Sequence, residues 1–182
     1  IIKKAVYFKL PLWYNGSIAT KEEIDMKVID INSRGQYPAN VLSNLWANSF
    51  IMDGVCFGSI EGFLQGLREK DPEKQLVLFS KSGIEAKRLG RAICIKDQTL
   101  YWKGQPFNRH SDYYRNLYTR AYLKCFAQNE LFQKALAVSI GSKLSHSIGK
   151  SDPFDTILTE QEFIFALNYV RSKFEVYLKE MV

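Results

Sequence analysis

Phe50-Ile51-Met52-Asp53-Gly54-Val55-Cys56-Phe57 followed by Gly58-Ser59-Ile60-Glu61-Gly62-Phe63-Leu64-Gln65-Gly66-Leu67-Arg68 decides how this chain folds, because the hydrophobic period changes partway through it. The first part reads as a hairpin. Asp53-Gly54 supplies the pair of residues that tolerate positive φ in a type I′ turn, with apolar residues on either side. Ser59 can then cap a helix by accepting hydrogen bonds from its first free amides. Ile60, Phe63, Leu64 and Leu67 fall at i, i+3, i+4 and i+7, which puts one stripe on the core. Glu61, Gln65 and Arg68 recur at i, i+4 and i+7 and form a second, polar stripe on the same helix.

Outward from this segment the chain reads as short elements. Residues 5–10 and 27–31 suggest strands, with turn residues Asn15-Gly16 and Ser33-Arg34-Gly35 between and after them. Asp71-Pro72 resembles an N-cap followed by proline at the first helical position, opening a helix through about Ser80. Ala86 to Gly90 suggests a short helix and Ala92 to Ile95 a strand. Ser111 starts a long helix carrying Tyr114, Leu117, Tyr118, Ala121 and Phe126, and another helix spans about Glu130 to Val138. Thr159 with Glu162 three residues on forms a capping box for a last helix that runs almost to the C-terminus. The sum is an α+β fold, mainly helical with a small antiparallel sheet. No repeat or linker interrupts it, so residues 1–182 read as one domain.

Composition narrows the function classes. Hydrophobic residues make up 46% and aromatics 14% of the chain, too many for a disordered segment. No run approaches the ~18 apolar residues of a membrane span, and Ile1 to Leu10 lacks a signal-peptide pattern, so the expected setting is cytoplasmic. Cys56, Cys94 and Cys125 are odd in number and widely spaced, against a disulfide framework. His110 and His146 are the only histidines, so neither a metal centre nor a cofactor is expected. The net charge of +6 favours an anionic partner such as a nucleotide or nucleic acid, without forming one basic block.

Several segments, in this order, resemble the NADAR/YbiA-like family. They are Val41-Leu42-Ser43-Asn44-Leu45, the Asp53-Gly54 hairpin, Ser59-Ile60-Glu61 opening a helix, Ala86-Lys87-Arg88-Leu89-Gly90-Arg91, Trp102, and Phe126-Ala127-Gln128-Asn129. The resemblance covers roughly residues 41–171. Gly62 stands where the family often has histidine, and Arg68 where a lysine is common. The family's Asp-x-x-Trp-Gly element survives only as Ser151-Asp152-Pro153-Phe154-Asp155, which marks a divergent branch. The resemblance implies a YbiA-like fold and hydrolysis of an N-glycosidic bond. The substrate class it implies is a phosphorylated ribosyl compound of the riboflavin pathway, or ADP-ribose on guanine in nucleic acid.

Breaking a ribosyl N-glycoside develops positive charge at the anomeric carbon and negative charge on the departing base, so it calls for a carboxylate and an acid. Glu61 matches the family's glutamate; otherwise it reads as a first-turn acid favouring the helix dipole. Asp152 and Asp155 are candidates for a second catalytic carboxylate, and Asp152-Pro153 reads equally well as a turn. Arg68 could hold the carboxylate or a phosphate, but it cannot form the imine that a neutral lysine forms with an opened sugar. Lys87 and Arg91, four residues apart, suit a phosphate or a plain solvated face. Trp102 offers a ring to stack on a base, or a core residue. Ser43 and Asn44 could bind sugar hydroxyls or close a turn. His146 could line the cleft or serve structurally. Ser43, Asn44, Glu61, Arg68, Lys87, Arg91 and Trp102 are expected to converge on one cleft. Two non-catalytic readings stay open, a binder that sequesters an ADP-ribose-like nucleotide and a module that binds nucleic acid or a partner.

Overall fold

A computed structural model describes residues 27–93 and 97–179 of the chain. The strand expected at residues 5–10 and the Asn15-Gly16 turn lie outside the described residues. Strand β1 (Val28–Asp30) is followed by an irregular segment, then by the hairpin β2 (Phe50–Met52) and β3 (Val55–Phe57). Asp53 and Gly54 take φ of 51° and 79°, as a type I′ turn requires. Helix α1 (Ile60–Gly66) starts at Ser59, whose hydroxyl accepts from the Gly62 N–H at 2.9 Å. Ile60, Phe63, Leu64 and Leu67 are all buried.

Helix α2 (Pro72–Phe79) is capped by Asp71, which accepts from the amides of Glu73 and Lys74. Its backbone exit crosses α1 closely, because a Cβ on Gly62 would come within 2.2 Å of the Lys81 carbonyl oxygen. Position 62 therefore has no room for the histidine common in the resembling family. Gln75 ties these pieces together: its amide donates to the carbonyls of Gly66 and Tyr101 and accepts from Lys103 N.

Helix α3 (Gly83–Arg91) is longer at both ends than the expected Ala86 to Gly90. Ala92 caps it and the Ile93 amide still donates to Gly90 O at 3.0 Å. The expected strand at Ala92 to Ile95 therefore begins inside a helix exit, while Cys94 and Ile95 lie outside the described residues. A second hairpin, β4 (Thr99–Trp102) and β5 (Gln105–Asn108), was not among the expected elements. Lys103 and Gly104 repeat the type I′ geometry at φ 51° and 79°. Pro106 argues against a strand from sequence, yet it pairs opposite Tyr101 in a two-stranded ribbon, where one side needs no donor.

Helix α4 (Asp112–Gln128) buries Tyr114, Leu117, Tyr118, Ala121, Tyr122, Cys125 and Phe126 along one stripe. It is followed by α5 (Glu130–Val138), β6 (Lys143–Ser145) and α6 (Glu160–Lys179). The capping box forms as the sequence suggests: Thr159 N–H donates to Glu162 Oε2 at 2.8 Å, and Glu162 N–H to Thr159 Oγ1 at 3.2 Å. The class is α+β and mainly helical. Among the described residues the strands form three separate pairs, two antiparallel hairpins and a parallel β1–β6 pair that joins residues far apart in sequence. The core lies between α1, α4 and α6 and continues into an aromatic cluster beneath the hairpins.

Candidate functional site

Glu61 occupies the first turn of α1 and is buried, with 8% of its surface exposed. Its amide donates to Asn44 O at 2.9 Å, which fixes the turn containing Asn44 against the start of the helix. The Asn44 side-chain oxygen accepts from the buried Tyr122 hydroxyl at 2.5 Å, joining this turn to α4. On the other side Gln65 Nε2 donates to Glu61 Oε1 at 2.9 Å. Gln65 Oε1 accepts from Arg68 Nη1 at 3.1 Å, and the same Nη1 donates to Gly90 O at 3.2 Å. The guanidinium thus sets which way the Gln65 amide faces, so that its NH₂ meets the carboxyl group.

Helix α3 can approach because residue 90 is glycine. A Cβ there would lie 2.2 Å from Gln65 Oε1. This close approach brings Lys87 and Arg91 near enough to act on Glu61 electrostatically. Burial pushes the Glu61 carboxyl above the usual range; the Gln65 hydrogen bond and the charges of Lys87, Arg91 and Arg68 oppose that shift without cancelling it. A carboxyl group whose proton affinity is raised and which has cations close by is the kind of group that serves as an acid or base. Tyr122 is buried, and its hydroxyl is pushed well above the ordinary range by that burial, so it remains a donor to Asn44.

Of the residues singled out from sequence, Asn44, Glu61, Arg68, Lys87 and Arg91 come together here. Ser43 is adjacent, but its hydroxyl accepts from Leu45 N at 3.3 Å and closes a turn. Trp102 is placed elsewhere. It is 8% exposed and packed among Phe57, Phe63 and Phe79, with centroids 6.2, 6.4 and 5.7 Å away. Because Phe63 is on the core stripe and Glu61 on the polar one, the indole is an aromatic core residue rather than a stacking platform beside Glu61. Asp152 and Asp155 are exposed. Asp152 accepts from Phe154 N at 2.8 Å, an Asx turn, and Asp155 pairs with Lys150 at 3.7 Å. Both carboxylates are used locally, since the Asp-Pro sequence makes a turn. His146 Nδ1 contacts Ile31 O at 2.6 Å and its ring packs edge-on against Phe163. It anchors the loop after β6 to the residue after β1.

Sequence reasoning missed Tyr122 as a site residue and counted Gln65 only as part of a polar stripe. It also missed a cleft of about 280 Å³ lined by Arg109, His110, Tyr114, Arg115, Glu162 and neighbouring residues at the starts of α4 and α6. At the cleft Arg109, 1% exposed, donates to Glu162 through Nη1 at 2.8 Å and Nη2 at 2.6 Å. Its guanidinium also lies 4.7 Å from the Tyr114 ring centroid. No described helix is long and apolar enough to cross a membrane.

The arrangement of helices and hairpins is that of a YbiA-like fold. The NMR structure of the E. coli protein YbiA superimposes with a TM-score of 0.59, covering 85% of this chain and 89% of that one, at 16% identity. At that identity the likeness concerns fold alone. The chain belongs to the family described as bacteriophage protein GP30.3, whose model matches residues 36–172. It is 44% identical over 149 residues to an uncharacterized 17.1 kDa protein of the Gp30-rIII intergenic region in Enterobacteria phage T4. That match covers 80% of this chain and 98% of the phage protein.

Proposed function

We propose that the chain is an N-glycosidase acting in the cytoplasm on a phosphorylated ribosyl or ADP-ribosyl substrate, with residues 1–182 as one domain. The observation that carries this reading is Glu61, a buried carboxyl group with raised proton affinity, set between the Tyr122–Asn44 pair and the cations Arg68, Lys87 and Arg91. In its acid form Glu61 can protonate the nitrogen of the departing base. Once ionised it can stabilise the positive charge left on the sugar, or draw a proton from the attacking water. Lys87 and Arg91 supply positive charge for the substrate's phosphate, and Asn44 a polar group for its hydroxyls.

Glu61→Gln keeps the shape and one hydrogen bond but loses the titratable proton. It is expected to preserve folding and ligand binding and to lower turnover at least ~100-fold, the lower range for a positioned acid or base. The assay measures free base or free ADP-ribose released from an ADP-ribosylated guanine oligonucleotide and from phosphorylated ribosylamino-pyrimidines. Unchanged turnover removes Glu61 from the mechanism. A second reading, a nucleotide binder without turnover, is favoured by Arg68. It stands where a lysine is common in the resembling family, and its guanidinium is engaged by Gln65 and Gly90. ADP-ribose binding by a wild-type protein that releases no base from any of these substrates decides for the binder.

A further inference from the structure

We infer that the cleft between the first turns of α4 and α6 is a binding site for a phosphate group. This inference stands apart from the N-glycosidase reading, since none of the lining residues belongs to the Glu61 group. The lining contains one acid, Glu162, and its oxygens are already occupied. Oε1 accepts from Arg109 Nη1, and Oε2 accepts from Arg109 Nη2, Thr159 N and Thr159 Oγ1. These donors hold its carboxyl below the ordinary range although burial pushes the other way, so it is ionised and fully paired. With Glu162 balanced by Arg109, the charge left on the lining is the guanidinium of Arg115.

Arg115 is well placed to use that charge. Its side chain is 65% exposed and its ion pair with Asp112, across 3.4 Å, is loose and solvent-facing. An entering anion competes with that exposed pair and with a side-chain hydrogen bond between Arg115 and Tyr118. Around it the lining offers donors: Ser151, Gln161 and His110, whose ring rests on Phe154 with centroids 4.9 Å apart. Arg109 itself keeps its Nε–H buried with no acceptor among the described residues, beneath the lining of the cleft. The first turns of two helices, starting at Asp112 and Glu160, open on the same space and add the positive end of each backbone dipole. A volume of about 280 Å³ is at the small end for ligand pockets and suits a phosphate monoester better than a full dinucleotide.

The rigid part of this site is the Arg109–Glu162 pair, which joins the chain before α4 to α6. The adjustable part is Arg115. A phosphate would take the Arg115 guanidinium from Asp112 and accept from the surrounding hydroxyl and amide groups. Asp112 and Asp152 lie near the mouth but outside the lining, and they disfavour an anion with no specific donor to meet it.

The test is a titration of ¹⁵N-labelled full chain with inorganic phosphate, then with ribose 5-phosphate, at constant ionic strength set with chloride. Saturable shifts are expected in the amides of residues 110–115 and 159–162. Arg115→Ala should weaken binding about tenfold or more, the loss of one charge-assisted hydrogen bond. Arg115→Lys should recover part of it. The amide spectrum of each variant reports that it is folded. Shifts confined to residues 87–91, non-saturable shifts, or equal affinity in Arg115→Ala overturn the assignment. None of these outcomes bears on turnover by Glu61.

Discussion

Glu61, buried, and Glu162, partly buried, are both first-turn glutamates of helices and both linked to an arginine, yet their proton affinities move in opposite directions. At Glu162 the arginine reaches the carboxylate directly with two parallel hydrogen bonds, and Thr159 adds an amide and a hydroxyl. At Glu61 the arginine acts through Gln65, a neutral amide gives the hydrogen bond, and Lys87 and Arg91 contribute as nearby charges. A buried carboxylate recovers its lost hydration only from donors in contact with it. Nearby charge without enough donors in contact leaves the proton affinity raised. The first arrangement locks two elements together, while the second keeps a group able to change its state.

The largest expected effect comes from breaking the locked pair. Glu162→Ala or Arg109→Ala leaves an uncompensated buried charge or an empty donor fork and should destabilise the fold by about 3–5 kcal/mol in urea denaturation. Glu162 has its folded-state proton affinity lowered, so its contribution is present above the unfolded carboxyl value of about 4.3 and is lost as pH falls through the folded value. Wild type should therefore lose stability in that acid window, and Glu162→Gln should flatten the loss. An unchanged acid profile would place the pair among ordinary surface contacts.

Gly90→Ala tests the other arrangement. The new methyl group collides with Gln65, so the amide must move and the helices must part, costing about 1–3 kcal/mol by overpacking. With the Gln65 donor displaced, the Glu61 carboxyl should rise further, which ¹³C chemical shifts of a labelled glutamate side chain would follow against pH. A Glu61 titration identical to wild type would show that Gln65 does not tune it.

The smallest effect concerns the slope of stability with pH. Because the folded protein holds the Glu61 proton more tightly than the unfolded chain does, its contribution is complete below the unfolded value and is lost as pH rises through the folded one. Glu61→Gln should match wild type in stability near pH 4 and exceed it increasingly towards alkaline pH. A constant difference across that range would mean that Glu61 ionises normally.

Much of this contrast could be read from the chain, and the unread parts have definite causes. Period and caps located α1, α2, α4 and α6, because Ser59, Asp71 and Thr159 cap by local rules that do not need the rest of the fold. The Glu61–Gln65–Arg68 stripe was equally visible, since helical spacing alone puts those residues on one face. The Arg109–Glu162 pair was not, because its partners are separated along the chain and meet only when α4 packs on α6. Tyr122 carries no local signal of its role, because its partner Asn44 lies 78 positions away in the chain. Trp102 failed for the converse reason: a large ring near a polar motif can stack on a ligand or fill a core, and Phe57, Phe63 and Phe79 claimed it. The second hairpin carries Pro106, a poor strand residue wherever both edges must pair, so its sequence gives only a weak strand signal.

The Gln128 side chain reaches Ile51 with both ends of its amide, accepting from the Ile51 N–H at 2.8 Å and donating to its carbonyl at 2.9 Å. That is the pair of bonds a neighbouring strand would make. Strand β2 is three residues long, and Ile51, at its centre, is the residue whose main-chain groups turn away from β3. With those two groups taken by a helix side chain, the β2 edge of the ribbon has no free main-chain pair at Ile51 on which another strand could build. A glutamine at the end of α4 thus acts as a molecular bookend, closing the β2 edge at Ile51 as a strand would without being one.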